Sequence, residues 1–528
     1  MAAVDRTNVR NVLFIMCDQL RWDYLSCYGH TGLETPNIDK LAQRGVRFDA
    51  AYVQSAVCVP SRMSYYTGRY VSSHGSTWNY VPLSLVQNTL GDFLKGAGLE
   101  AVLAGKTHVI PDRLGLQRFG LEPDSPLGRY YLHGGFDEMD RYDGHGSPGS
   151  ESGYADYLRD NGYDSEDPWS DFVVGALDAD GRFANGWLLR NAHLPARVDR
   201  RHSETAYMTD RALEYIREKG ECPWVLHLSY IKPHWPLMAP APYHDMYRHV
   251  DTGPIIHPGA ETSPPHPVLQ AYREAHEDCL SYGKEEVVRH VRPTYMGLIK
   301  EVDDHIGRLA AGLESMGRLD DTLIIFCSDH GDLLGDHGLG EKELFYEQAV
   351  RVPFIVVDPR ESANATRGTA ESRFVESIDV LPTILEALGL PVPDHVLEGR
   401  SLLPILRGEQ VDEWRDCVFS ELDYAFRDAR LLLKRKPDEC YAWMVRDTRW
   451  KYIHYQGLRP QLFDMQADPL EIHDLGEDPA YAKVRMAMKD RLADWLMERK
   501  RRITIDNATV EQTTEGWKAL GYMKIGVW

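Results

Sequence analysis

The stretch SAVCVPSRMSYYTGRY, residues 55–70, sets a cysteine just ahead of a proline, a serine and an arginine. Pro60 suits a first helical turn and Gly68 the far end, so the spacing predicts that PSRMSYYT is a short helix with Cys58 just before it. Such a helix aims open backbone N–H groups and a positive dipole end at whatever Cys58 carries. Arg62, four residues on, lies near the same space, which suits a nucleophile working on an anion. A cysteine so placed also serves as a small buried hydrophobe and an arginine as a structural ion pair, so the neighbours decide.

Two further groups carry ligand chemistry. Asp18-Gln19 closes the apolar run NVLFIM, and Asp329-His330 closes the run in DTLIIFCSDHGDLLGDHG. Carboxylates and an imidazole at matching strand ends are candidate ligands for a divalent cation. In AGKTHVIPD, Lys106 and His108 stand two apart, so both side chains face one side of an extended segment. Without the other groups they would be a solvated pair on a loop.

These residues are far apart in the chain, so a fold has to gather them. Apolar runs at 11–16, 224–236 and 321–338 read as buried strands. Helical patterns at 37–48, 90–98, 205–220 and 295–317 alternate with them. The expectation is an α/β fold, a large mainly parallel sheet sandwiched by helices. Ligands bind such sheets outside the carboxyl ends of the strands, where Asp18, His234, Asp329 and His330 would converge. Residues 121–200 read as a loop-rich insertion over the pocket, and 359–372 as an exposed turn. Residues 1–405 form the expected catalytic domain. Residues 406–528 form a smaller unit, an antiparallel sheet over 441–475 with a helix over 481–502, and then a tail to Trp528.

The string C-x-P-S-R-x-x-x-x-T-G, here Cys58-Val59-Pro60-Ser61-Arg62 through Thr67-Gly68, is a sulfatase signature. Over nearly its whole length the chain resembles the type I, formylglycine-dependent sulfatases of the alkaline phosphatase superfamily. It is similar above all to bacterial arylsulfatases and phosphonate monoester hydrolases. The resemblance implies an alkaline phosphatase-like fold and a Cys58 oxidised to formylglycine by a separate maturation enzyme. A hydrated aldehyde offers one hydroxyl to attack sulfur or phosphorus and a second to expel the product.

It also implies one divalent cation held by Asp18, Gln19, Asp329, His330 and the modified Cys58. Lys106 and His108 would bind the sulfate, while His234 and Lys342 would stand at the leaving group. Asn79 in WNYVPL would reach the nucleophile or substrate. Asp-Gln and Asp-His in place of the sulfatase Asp-Asp and Asp-Asn resemble the phosphonate hydrolases and admit manganese as well as calcium. Lys106 with His108 is the sulfatase pattern. The expected reaction is hydrolysis of small anionic sulfate monoesters, aryl sulfates above all. Phosphonate monoester or phosphodiester hydrolysis is the alternative, and an inactive binding protein of this fold the reading from another class.

Composition narrows the partners. A formal charge of −21 over 528 residues argues against nucleic acid. No apolar run spans a bilayer, and the N-terminus lacks a leader's pattern, which points to the cytoplasm. The eight cysteines are scattered and expected as thiols, and the sequons at Asn364 and Asn507 carry no weight there. The resemblance suggests a homodimer or homotetramer.

Overall fold

The computed structural model describes residues 9–144, 152–261 and 264–519. The first eight residues and the tail from 520 onward lie outside the described residues, and so does part of the 121–200 insertion.

An eight-stranded sheet forms the centre. From one edge to the other its strands are Thr369–Glu371, Val46–Phe48, Phe354–Val357, Thr322–Ser328, Asn11–Asp18, Val225–Pro233, Ala101–Gly105 and Asp137–Arg141. Only Phe354–Val357 runs against the rest. The three long central strands are buried at every residue, as continuous apolar runs demand when both faces are covered.

Alternation along one strand divides the core. Val12, Phe14 and Met16 pack with the helices Cys58–Thr67, Leu90–Lys95, Pro267–Ala275 and Val380–Ala387. Leu13, Ile15 and Cys17 pack on the other face with Pro36–Arg44, Glu204–Lys219 and Glu285–Ser315. Burying side chains of this size contributes roughly 1.5–3 kcal/mol each. Local chemistry fixes the helix starts: Ser203 caps Glu204–Lys219 by accepting from the Ala206 N–H at 3.2 Å.

Register then brings the strand ends together. Asp18 pairs with Pro233 and Cys17 with Ser328, so Asp18, His234 and Asp329 emerge side by side at the carboxyl edge.

Residues 417–464 form a four-stranded antiparallel sheet, Cys417–Asp423, Tyr441–Asp447, Trp450–Tyr455 and Gln461–Asp464 in sequence order. The helix Ala482–Met497 covers it through Met488, Leu492 and Trp495, in a cluster that includes Tyr70 and Ile378.

Several sequence expectations are corrected. The helix expected over 37–48 ends at Arg44, and Val46–Phe48 is a strand. At Gly45 a Cβ would stand 2.2 Å from the Val356 carbonyl oxygen, and this close approach marks the change. The 295–317 helix begins ten residues earlier, at Glu285, and runs through Pro293. Besides its loops, the 121–200 insertion supplies the edge strand Asp137–Arg141, the helices Pro126–Leu132 and Gly153–Asp160, and a small hairpin. Residues 369–371 of the expected turn are an edge strand. Among the described residues no helix is long and apolar enough to cross a membrane.

Candidate active site

Cys58 is the first residue of its helix rather than the residue before it. Val57 is the N-cap, with extended backbone, and Gly68 ends the helix at φ 63°. All ten residues of this helix are buried. Asn79 Oδ1 accepts from the Val59 N–H at 3.0 Å, so this oxygen satisfies an open donor of the helix beside Cys58.

The Cys58 sulfur lies 3.1 Å from His330 Nε2 and 4.0 Å from Asp18 Oδ1. His330 Nδ1 is 2.9 Å from the Gly331 carbonyl oxygen. A carbonyl only accepts, so Nδ1 carries a proton and the ring is oriented with Nε2 toward the sulfur. The Asp18, Cys58, Asp329 and His330 ligand atoms all lie within 4.8 Å of one another, and all four residues are buried. Burial and the neighbouring Asp18 push the Asp329 carboxyl up. Two buried carboxylates facing each other beside an oriented imidazole fit a divalent cation.

Gln19 stands beside this cluster, turned to other partners. Its Oε1 accepts from Lys342 Nζ at 2.8 Å and its Nε2 donates to Asp332 Oδ2 at 2.6 Å. The backbone of Gln19 is left-handed, φ 66°, and is held there by the Asp329 carboxylate and the Tyr295 hydroxyl.

Arg62 serves the carboxylates. Its Nε donates to Asp329 Oδ2 at 2.8 Å, and its Nη1 donates to the Lys106 carbonyl at 2.8 Å and to Ser229 Oγ at 2.9 Å. Lys106 Nζ donates to Asp18 Oδ2. Burial opposes the Asp18 anion, but Lys106, paired with it, holds its carboxyl well below the ordinary range.

Burial likewise pushes the Cys58 thiol up. Lys342, Lys106 and His330, with a hydrogen bond from His108, outweigh it and leave the thiol far more acidic than usual. Desolvation keeps His234 neutral, with Lys342 and Lys106 adding to the effect. Its Nδ1 meets the Trp235 carbonyl at 2.6 Å, which leaves Nε2 to accept from Lys342 Nζ at 3.2 Å. Burial acts against the Lys342 charge, yet Cys58 and Glu341 hold it above its ordinary range. Within this hydrogen bond Lys342 is the donor and His234 the acceptor.

The structure gathers Asp18, Gln19, Cys58, Arg62, Lys106, His108, His234, Asp329, His330 and Lys342 at one site, with Asn79 at the same helix end. It adds residues the sequence does not single out. Asp332, pushed to about 6 by burial, orients Gln19, and Ser229 orients Arg62. Glu343, left-handed at φ 86° and next to Lys342, is held by the Tyr272 hydroxyl at 2.6 Å and by Arg427 at 3.0 Å. Trp187, within the insertion, stacks edge-on against Trp235 beside His234. For Asp332 the signal was its place three residues after Asp329; for the others local sequence holds none.

A family model described as Sulfatase matches residues 10–390, and one described as N-sulphoglucosamine sulphohydrolase, C-terminal, matches residues 335–498. The chain is 34% identical over 516 residues to the multifunctional alkaline phosphatase superfamily protein PehA of Trinickia caryophylli, covering 92% of this chain and 95% of that one. It is 28% identical to an arylsulfatase of Clostridium perfringens, covering 89% and 91%. The solved phosphonate monoester hydrolase SpPMH from Silicibacter pomeroyi superimposes with a TM-score of 0.80 at 30% identity, covering 94% of this chain and 96% of that one.

Proposed function

The chain belongs to the sulfatase family of the alkaline phosphatase superfamily, and we propose that it hydrolyses sulfate monoesters, aryl sulfates above all, at Cys58. The observation that carries this is the Cys58 sulfur, 3.1 Å from His330 Nε2 inside a four-residue cluster of metal-ligand type.

Oxidised to formylglycine, Cys58 supplies a hydroxyl that attacks the ester and a second that releases the anion. Asp18, Asp329 and His330 would hold a divalent cation, manganese or calcium, which would lower the pKa of the attacking oxygen and neutralise charge on the ester. The remaining work belongs to the chain. Arg62 fixes Asp329, Lys106 fixes Asp18, and both cations offset the negative charge gathered there. His108 bonds to the group at position 58 and orients it. Lys342, charged and buried, stands where a proton donor is needed for a departing phenolate. His234 accepts from it and sets its direction.

Lys106 with His108 supports a sulfate head group with three unsubstituted oxygens over one carrying an extra substituent. A second activity on phosphonate monoesters or phosphodiesters is supported by His330 in the cluster and by likeness to a hydrolase of that name. The test is a mass spectrum of the tryptic peptide Phe48–Arg62 from protein made with and without a co-expressed maturation enzyme. It is read beside kcat/KM on matched aryl sulfate and aryl phosphonate esters. An aldehyde mass rising with aryl sulfate turnover is expected. An unmodified thiol in fully active protein would overturn the formylglycine route, and a higher kcat/KM on the phosphonate would reverse the order of substrates.

A further inference from the structure

We infer that Asp143 is a positioning residue for His108: one carboxylate oxygen takes the backbone N–H groups of Thr107 and His108 together and so aims the imidazole at Cys58. The inference rests on the role proposed for His108 at that residue.

The segment that carries Lys106 and His108 begins where the sheet ends. The ladder between Ala101–Gly105 and the edge strand Asp137–Arg141 is continued by a bond from the Tyr142 N–H to the Gly105 carbonyl at 3.0 Å. Beyond it the backbone is pinned by partners outside that ladder. The Lys106 N–H donates to the Ser229 carbonyl at 3.1 Å, and its own carbonyl accepts from Arg62. The Thr107 and His108 N–H groups then both meet Asp143 Oδ1, at 3.1 Å and 3.0 Å. Two successive N–H groups converging on one anionic oxygen form a concave cradle for negative charge.

Two features give that oxygen more than a local task. His108 is left-handed, φ 55°, a conformation a residue with a Cβ keeps only when its surroundings impose it. The other Asp143 oxygen is fixed by Arg141, whose Nε and Nη2 donate at 3.0 Å and 2.7 Å, and Nη2 also donates to the Val109 carbonyl at 3.2 Å. Arg141 and Asp143 thus grip the turn from both sides. Burial would raise the Asp143 carboxyl, but Arg141 and His108 hold it below its ordinary range, so it is an anion when it takes these bonds. Removing it frees the turn to leave the left-handed state and swings the imidazole off the sulfur.

The experiment is a double-mutant cycle on full-length matured protein, read on whichever ester the wild type turns over, aryl sulfate or aryl phosphonate. A wrong substrate class therefore leaves the cycle readable, whereas a wrong role for Asp143 breaks it. Asp143→Ala is expected to lower kcat by roughly 10- to 100-fold with little change in KM, as a misplaced group does. Asp143→Asn, which keeps the accepting oxygen, is expected to recover most of the rate. Asp143→Ala added to His108→Ala should cost less than about 2-fold more. Fully additive losses, or wild-type kcat in Asp143→Ala, would overturn the assignment. Should Asp143→Ala not fold, Arg141→Met carries the same cycle: a smaller loss that vanishes in the His108→Ala background supports the grip, and one that persists there overturns it.

Discussion

The Cys58 sulfur and His330 Nε2 stand 3.1 Å apart although 272 residues separate them in the chain. The proposed nucleophile and the candidate cation ligands are therefore one constellation, built from the start of a helix and the ends of two strands. A change to either is felt by both.

Replacing the sulfur tests the nucleophile directly. Cys58→Ala is expected to lower kcat by about 10⁴-fold or more, as loss of a nucleophile does elsewhere. Cys58→Ser keeps one hydroxyl and no second, so it should release at most one leaving group per site and then stall. Active-site titration by rapid mixing measures this, and steady turnover by the serine variant would contradict it.

Removing the cation tests the cluster. Chelation should abolish turnover, and restoring manganese or calcium at a hundred times the dissociation constant should stabilise the fold by about 2.7 kcal/mol. His330→Ala should weaken binding, seen as a higher metal concentration needed for the same rise in melting temperature. Asp329→Ala should cost more, because it also strips Arg62 of its 2.8 Å partner inside the protein. Equal melting curves with and without metal would count against a site here.

Lys342 is expected to act on the leaving group. Lys342→Met should lower kcat/KM by about 10²- to 10⁴-fold for phenolates of high pKa and far less for those that leave unaided. A plot of rate against leaving-group pKa should steepen in the variant. Parallel lines for variant and wild type would assign Lys342 to binding instead.

Glu301, buried on the long helix Glu285–Ser315, offers a test by pH. Burial raises its carboxyl from the ordinary 4.5 to about 7. The folded protein therefore binds a proton that the unfolded chain has already lost. Its contribution is complete below about pH 4.5 and disappears as pH rises through about 7. Glu301→Gln should remove about 3 kcal/mol of that decline, measured as denaturation midpoints across the window. Glu343, Glu421 and Glu471 shift the same way, so a reduced slope rather than a flat one is expected.

How much of this was legible follows from what holds each residue. Asp18, Asp329 and His330 end long apolar runs, and a buried strand that stops at a carboxylate is visible in local sequence. Cys58 carries its own signature. Val46–Phe48 and Phe354–Val357 are too short to show a period and owe their state to the strands beside them. Gln19 is legible as the neighbour of Asp18, but the partners of its amide, Lys342 323 residues away among them, are supplied only by the fold. Asp143 and Asp332 act by accepting from backbone and amide groups whose positions only the fold defines.

The helix that begins with Cys58 has no exposed residue, and the cysteine itself is 1% exposed. Under the proposed function, an enzyme that oxidised this thiol would need the segment in its own cleft, which a closed core denies it. Maturation and folding would then compete for the same stretch of chain, with modification on the unfolded or emerging polypeptide and closure afterwards. Protein that folded first would stay in the thiol form, and later supply of a maturation enzyme would not rescue it until the fold was opened.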